Sequence, residues 1–161
     1  NSKGKKIIGW DEILEGGLAP NAIVMSWRGM EGGKKAARAD HYVVMAPNTH
    51  TYFDYYQGPK ESEPEAIGGY IPLEKVYRYN PVPDDLSGEH SKYILGTQGQ
   101  VWTEYIPTID KLEYMAFPRA IALAEVAWTP DNKKDYSDFL QRLETHTERL
   151  QRLGVNYRKP E

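Results

Sequence analysis

Four short apolar runs form the framework of the chain. They lie at residues 6–9, 23–26, 42–46 and 93–96. The runs are continuous rather than alternating, which is typical of parallel strands that are covered on both faces. The pattern therefore predicts a small parallel sheet, with crossover segments between its strands.

The segments between the runs predict helices and one long loop. Residues 12–18 are long enough for a short helical turn, and the alanines of residues 32–39 favour a helix that packs on the sheet. Residues 47–92 contain six prolines and many tyrosines, so they predict a long irregular connection. Loops of this length in a compact domain usually carry function.

Two helices are predicted after the fourth run. Residues 110–128 carry an apolar pattern that Pro118 interrupts, so the helix is expected to kink or restart there. Residues 136–153 have Asp135 or Ser137 as the N-cap and Gly154 as the stop. Their apolar stripe is expected to dock on the body of the domain. It consists of Phe139, Leu140, Leu143, Leu150 and Leu153.

Alternation of strands and helices predicts α/β architecture, as the C-terminal half of a (β/α)8 barrel with about four parallel strands. We assign residues 1–161 to this part of one domain. Half a barrel would leave two apolar strand edges unpaired, a state that proteins avoid. We therefore expect an N-terminal barrel half or self-association to cover them. The chain leads from Asn1 almost directly into a strand, which also suggests a piece of a longer protein.

Composition excludes several classes of protein and site. The net charge is −3, and lysine and arginine form no long block, so no nucleic-acid or anionic-membrane surface is indicated. The chain has no cysteine, and no apolar run reaches membrane-spanning length. The four histidines are not spaced as metal ligands, and we expect neither a metal nor another cofactor.

Candidate chemistry lies at the ends of predicted strands. Trp10, Trp27 and Trp102 each come after an apolar run, and carboxylates follow the first and third within two residues. Indole faces pack on the C–H surface of a sugar ring, and carboxylates accept hydrogen bonds from its hydroxyls. The carboxyl ends of barrel strands build the active site. The pattern therefore indicates a sugar-binding pocket.

Four motifs, read together, resemble glycoside hydrolase family 20, the β-N-acetylhexosaminidases. A fifth segment, which contains Phe117-Pro118-Arg119, resembles the helix after the last barrel strand of that family. The order and spacing of the motifs over about residues 5–130 make the resemblance specific. The four motifs are Gly9-Trp10-Asp11-Glu12, Ser26-Trp27-Arg28-Gly29, Tyr52-Phe53-Asp54 and Gly96-Thr97-Gln98-Gly99-Gln100-Val101-Trp102-Thr103-Glu104.

The resemblance implies an exo-acting enzyme that removes terminal N-acetylglucosamine or N-acetylgalactosamine from glycans. Family 20 enzymes are retaining and substrate-assisted, so the substrate's own acetamido oxygen attacks the anomeric carbon. The family's habit also implies export of the parent protein to the periplasm, the cell surface or the medium.

The resemblance further implies that six residues at strand ends bind substrate. The three tryptophans would wall the acetamido pocket, the tyrosine would orient the acetamido group, and the two carboxylates would bind hydroxyls of the terminal sugar. These residues are Trp10, Trp27, Tyr52, Asp54, Trp102 and Glu104.

One part of the family's pattern is missing from the sequence. The family's catalytic pair is an Asp-Glu that follows a His-x-Gly-Gly stretch, and no such stretch occurs here. Asp11-Glu12 follows Gly9-Trp10 and matches a different family motif, so Glu12 is expected in a hydrogen-bond network at the barrel mouth. We therefore expect the acid pair upstream, no catalytic acid in this chain, and no hydrolysis by the chain alone.

Other interpretations of the same residues stay open. The chain also fits a non-catalytic carbohydrate-binding domain, a barrel glycosidase of another specificity, or a structural domain whose aromatics only pack. Packing is the preferred interpretation for Trp128, and a structural role for Arg119 and Glu125. Arg28 is expected to pair with a carboxylate rather than to contact substrate.

Overall fold

The computed structural model describes residues 3–86 and 88–160, and it contains one parallel sheet flanked by helices. Strands β1 to β4 are Ile8–Trp10, Ile23–Ser26, Val43–Met45 and Ile94–Thr97. Helices α1 to α6 are Glu31–Arg38, Leu73–Tyr77, Gly88–Ser91, Ile109–Ala116, Arg119–Trp128 and Tyr136–Arg152. Short 3₁₀ helices are Asp11–Leu14, Lys60–Ser62 and Asp131–Lys133.

The chain divides into two compact units, and the first unit, Asn1–Thr49 with Asn80–Gln98, holds the whole sheet. The strand order is β1-β2-β3-β4, and every neighbouring pair is parallel. Trp10 pairs with Met25, so the end of β1 lies beside the end of β2. The predicted α/β fold with four parallel strands is confirmed: β2 has the predicted bounds, and those of the other three strands are shifted by one or two residues.

The two faces of the sheet are buried unequally. Val24, Ser26, Val43 and Met45 are buried, whereas the alternate residues of β2 and β3 are only partly buried. Helix α1 covers the buried face, where a Cβ on Gly33 would lie 2.6 Å from the Met45 side chain. The prediction that both faces are covered is therefore wrong for the described residues, because the helices of the first unit protect one face.

The outer strands of the sheet, β1 and β4, each pair with one neighbour within residues 3–86 and 88–160. Apolar side chains on both strands are open to solvent, since Ile8 is 55% exposed and Leu95 is 57% exposed. Leu95 lies at a ladder irregularity, where Val43 pairs with Ile94 and Val44 with Gly96. The two open apolar edges expected from the sequence are therefore present in the described part of the chain.

The second unit is His50–Tyr79 with Gly99–Glu161. It contains helices α2, α4, α5 and α6. Pro118 separates α4 from α5, as predicted, because proline cannot continue the hydrogen-bond ladder of a helix. Asp135 is the N-cap of α6, and its carboxylate accepts the N–H of Asp138 at 3.0 Å. The helix ends before Gly154, which has φ +71°. The predicted start and stop of α6 are confirmed.

The apolar stripe of α6 is buried in its first half. Phe139 and Leu143 are buried, whereas Leu153 is 77% exposed. Trp128, the last residue of α5, is 89% exposed, so the prediction that it packs is wrong. It comes two residues after the buried Val126, and a separation of two residues turns a side chain to the far side of a helix.

The long connection between β3 and β4 is irregular over most of its length, as predicted. It also contains α2, which the density of prolines concealed in the sequence. Pro72 directly precedes this helix, where a missing N–H does no harm. Tyr77 of α2 is buried, and its hydroxyl donates to Glu125 of α5 at 2.8 Å. Glu125 therefore has the structural role expected for it.

Candidate functional site

In the first unit, one buried carboxylate holds the turn that follows β2. Asp11 is 1% exposed, and its Oδ2 accepts the backbone N–H groups of Trp27 at 3.1 Å and Arg28 at 3.2 Å. Its Oδ1 accepts Nε–H of Arg28 at 2.7 Å. The expected pairing of Arg28 with a carboxylate is confirmed, and Asp11 fixes the backbone from which the Trp27 side chain projects.

A second carboxylate orients the indole of Trp27. The Nε1–H group donates to both oxygens of Glu12, at 3.0 and 3.1 Å. The backbone N–H of Glu12, the Trp27 indole and the charge of Arg28 together hold the pKa of Glu12 below its ordinary value. Glu12 is therefore ionised at neutral pH and belongs to the hydrogen-bond network that the sequence predicted for it.

The motif at residues 26–29 is a turn that needs its serine and glycine. The buried Oγ of Ser26 donates to the carbonyl of Gly29 and accepts the N–H of Gly33, both at 2.9 Å. Gly29 has φ +81°, a conformation that disfavours any side chain. The turn presents Trp27, half-buried, just beyond the end of β2. Trp10 ends β1 beside it and is also half-buried.

In the second unit, the Tyr52-Phe53-Asp54 motif starts at a bridge with Gln100 and continues as a turn, in which the N–H of Tyr55 donates to the carbonyl of Tyr52 at 3.2 Å. Tyr52 and Gln100 form a parallel bridge, flanked by two backbone hydrogen bonds of 2.7 Å. Gly99 permits this approach, because a Cβ there would lie 2.8 Å from the ring of Phe53. Tyr52 is 7% exposed. The pairing brings the tyrosine motif beside the segment that leads to Trp102.

Asp54 is a buried carboxyl group, only 4% exposed, that accepts the backbone N–H groups of Asp54 itself and of Trp102. Its Oδ1 has no hydrogen-bond partner among the described residues. Burial raises the pKa of Asp54 to about 6, the charge of Glu104 adds to the rise, and the backbone N–H groups and Arg119 oppose it. A buried acceptor without a donor is unfavourable, so this oxygen is well suited to receive a donor from a ligand.

Two further predicted residues lie around Asp54 and are open to solvent. Trp102 is 41% exposed, and Glu104 is exposed. The backbone N–H of Trp102 lowers the pKa of Asp54, and the charge of Glu104 raises it. An accessible indole face beside two carboxyl groups can pack on a sugar ring and accept bonds from its hydroxyls.

The contacts of Arg119 could not be read from the sequence. This residue is fully buried, and among residues 3–86 and 88–160 its guanidinium donates only to backbone carbonyl oxygens. The sequence did show an arginine within an apolar helix, which is a sign of a buried arginine. It could not show which groups Arg119 binds, because most of them are distant in sequence. The four carbonyls belong to Phe53, Tyr55, Ile71 and Met115.

His50 is half-buried, and its ring stacks on Tyr79 with centroids 5.0 Å apart. Burial lowers the pKa of His50, and the charge of Lys75 lowers it further. Within residues 3–86 and 88–160, no three acidic or histidine side chains are grouped so that they could hold a metal ion. Over the same described residues, we find no helix with the length and apolar character needed to span a bilayer.

Comparison with known proteins gives clear relatives. Residues 1–131 match the model of the family described as glycosyl hydrolase family 20, catalytic domain. A β-hexosaminidase of Porphyromonas gingivalis is 52% identical over 158 residues, which cover 98% of this chain and 20% of that protein. A β-N-acetylhexosaminidase of Cellulomonas fimi is 32% identical over 158 residues, which cover 96% of this chain and 32% of that protein. The chain thus spans about a fifth to a third of the length of these relatives.

A solved structure shares the fold. An exo-β-N-acetylglucosaminidase of this family from Vibrio harveyi, in complex with N-acetylglucosamine, superposes with a TM-score of 0.86 at 37% sequence identity. The match covers 99% of this chain and 25% of that one. The structural relatives are (β/α)8-barrel enzymes, so the four parallel strands are part of such a barrel, as predicted. The chain belongs to glycoside hydrolase family 20.

Proposed function

We propose that this chain is part of an exo-β-N-acetylhexosaminidase, which removes terminal N-acetylglucosamine or N-acetylgalactosamine from glycans. Family membership and relatives that are β-hexosaminidases support this reaction class. The reaction proposed for the whole parent protein is retaining and substrate-assisted. The acetamido oxygen of the substrate attacks the anomeric carbon, and water then opens the cyclic intermediate.

The proposal depends mainly on the burial and the incomplete hydrogen bonding of the Asp54 carboxyl group. This carboxyl is buried, yet Oδ1 has no partner among the described residues, and Glu104 stands close enough to affect its charge. A sugar hydroxyl would supply the missing donor to Oδ1. The exposed carboxylate of Glu104 would accept a second hydroxyl of the same terminal sugar, because carboxylates bind hydroxyl pairs well.

The acetamido group needs a rigid environment, since it must stay in one orientation for attack. Tyr52 is held by its bridge with Gln100, and we assign its hydroxyl to the acetamido carbonyl oxygen. Trp102 offers an accessible indole as a wall for the group. Both assignments extend the family resemblance to the geometry of the second unit.

The first unit contributes indole walls in this proposal. Trp10 and Trp27 are half-buried at the carboxyl ends of adjacent strands. Glu12 and Asp11 fix the ring and the backbone of Trp27, so its indole needs little ordering when a substrate binds. A preset aromatic surface of this kind suits a group that must not rotate.

The chain's own acidic pair is unsuited to protonate a leaving group. A general acid must be protonated at the working pH, which requires a raised pKa. The pKa of Glu12 is lowered, and Asp11 is occupied by Arg28 and two backbone N–H groups. We therefore propose that the catalytic Asp-Glu pair lies in the part of the parent protein that this chain does not span, and that the chain alone is inactive.

The open strand edges support a proposal about partners. Ile8 on β1 and Leu95 on β4 expose apolar surface at opposite sides of the sheet. In the parent protein, the N-terminal half of the barrel would pair with these strands. In the isolated chain, a second copy would cover them, because unpaired apolar edges associate.

Kinetics of an Asp54→Asn variant of the parent protein test the function. Loss of a charged hydrogen bond to the sugar should lower kcat/KM for a chromogenic β-N-acetylglucosaminide by about 10- to 100-fold. Asp110→Asn is the matched control, because Asp110 is an exposed aspartate of the same unit. Unchanged kcat/KM in Asp54→Asn would refute the sugar-binding role.

A further inference from the structure

Arg119 is a buried cation surrounded by peptide carbonyls. Its side chain has no exposed surface, and Nη1 donates to the carbonyls of Tyr55 at 3.0 Å and Ile71 at 3.1 Å. Nη2 donates to the carbonyls of Phe53 and Met115. The guanidinium carbon lies 5.1 Å from the centre of the Phe53 ring. The group therefore links three separate segments of the second unit.

Two of these four carbonyls flank Asp54. The peptide oxygens of Phe53 and Tyr55 point at the two ends of one planar guanidinium, on different nitrogens. A planar fork fixes the directions of the groups that it binds, unlike a point charge. The backbone on both sides of Asp54 is therefore tied to one rigid group. The other contacts anchor that group to residue 71 and to the last turn of α4.

The charges around Arg119 support the same relationship. Burial lowers the pKa of Arg119 to about 9, opposed first by the charge of Asp54 and then by that of Glu63. Arg158 adds to the lowering, and Tyr114 opposes it. Arg119 thus stays protonated at neutral pH. In the described residues it forms no ion pair within 4.0 Å, so carbonyl dipoles are its direct partners.

We propose that Arg119 is a positioning residue for Asp54: it binds the carbonyls of Phe53 and Tyr55, the residues on either side of Asp54, and so sets where Oδ1 meets the sugar. The proposal rests on the sugar-binding role proposed above for Asp54. Arg119 itself does not touch the substrate, because it is fully buried. It acts through the backbone, and this distinguishes it from a residue that only fills the core.

The test is a double-mutant cycle in the parent protein with Arg119→Lys and Asp54→Asn. Lysine keeps the charge but loses the planar fork, so Arg119→Lys should lower kcat/KM by about 10- to 100-fold through misplacement of Asp54. In the Asp54→Asn background, the same change should cause a much smaller loss. Equal losses in both backgrounds, or full activity in folded Arg119→Lys, would overturn the proposal.

Arg142→Lys is the control variant, because it also removes a planar guanidinium that binds through two nitrogens, but it does so away from Asp54. Arg142 binds Glu125 through two nitrogens, at 2.6 and 2.8 Å, and it lies on α6 of the same unit. Among the described residues, Arg142 does not bind the carbonyl of Phe53 or that of Tyr55. The control should leave kcat/KM unchanged in both backgrounds.

A measurement on the unmodified chain decides the question if Arg119→Lys fails to fold. The guanidinium NMR signals of Arg119 should shift as Asp54 titrates, and the shift should vanish in Asp54→Asn. Signals that do not respond at the Asp54 midpoint would overturn the positioning role. If Asp54→Asn keeps full activity, the proposed function fails instead, and the NMR titration still decides whether Arg119 and Asp54 are coupled.

Discussion

Glu12 receives the indole N–H of Trp27 on both carboxylate oxygens, at 3.0 and 3.1 Å. The two residues are fifteen positions apart, at the ends of neighbouring strands. Because the ring of Trp27 would otherwise turn about its side-chain bonds, this contact fixes its plane. A motif that looks like a catalytic acid pair thus orients the indole of Trp27.

Removal of the Glu12 carboxylate should weaken substrate binding more than it weakens the fold. In the parent protein, Glu12→Ala frees the indole of Trp27, and we expect KM to rise by about three- to tenfold, since only ordering of one ring is lost. Glu15→Ala is the control, because Glu15 binds Arg28 and not the indole. Steady-state kinetics of the two variants check this, and equal KM values would contradict it.

The Glu12 contact also has a predictable dependence on pH. A carboxyl whose pKa is lowered in the folded chain stabilises the fold above its ordinary pKa, and this contribution is lost as pH falls. The contact should therefore persist at neutral pH and weaken below about pH 4.5, the ordinary range of glutamate.

The pKa of Asp54 is shifted in the opposite direction, so its ionisation has the opposite effect on the stability of the fold. Its pKa is raised to about 6, so the folded chain holds this proton more tightly than the unfolded chain does. Ionisation destabilises the fold, fully above about pH 6 and not at all below the ordinary aspartate value near 4. At pH 8, Asp54→Asn should therefore be more stable than the unmodified chain, by about 2–3 kcal/mol at most.

The difference in stability between Asp54→Asn and the unmodified chain should shrink towards zero at pH 4. Urea denaturation at pH 8, 6 and 4 measures it, with Asp110→Asn as the exposed control. A variant that is less stable at pH 8, or a difference that does not depend on pH, would show that the Asp54 carboxyl is not held in an unfavourable buried state.

The open edges of the sheet make a prediction about association. The isolated chain should form dimers or larger species in sedimentation velocity, because β1 and β4 expose Ile8 and Leu95. Lysine at both positions should favour the monomer, since charged side chains protect strand edges. Ile109→Lys is the control, as Ile109 is 68% exposed but lies on α4. A monomeric unmodified chain would contradict the prediction.

Local sequence patterns predicted the secondary-structure elements that depend on neighbouring residues alone. The apolar runs located all four strands, Pro118 marked the break between α4 and α5, and Asp135 marked the start of α6. Helix α2 was missed because its apolar residues lie within a proline-rich segment. Trp128 was misjudged because residue type favours burial, whereas its position on α5 turns it to solvent.

Motifs indicated the residues that we propose for the site, but not the contacts that hold them. Order and spacing singled out Tyr52, Asp54 and Glu104. The buried state of Asp54 and its link to Arg119 depend on contacts more than 60 residues apart. Such contacts arise only when the segments pack, so no local pattern contains them.

We propose that this chain supplies substrate-binding residues of a β-N-acetylhexosaminidase whose catalytic acid lies elsewhere in the parent protein. The most direct test compares hydrolysis of a chromogenic β-N-acetylglucosaminide by the parent protein and by the 161-residue chain. We predict an active parent and an inactive chain. Turnover by the pure chain, abolished by Glu12→Gln, would place the acid within these residues and contradict the account. An inactive parent would instead favour a carbohydrate-binding or purely structural domain.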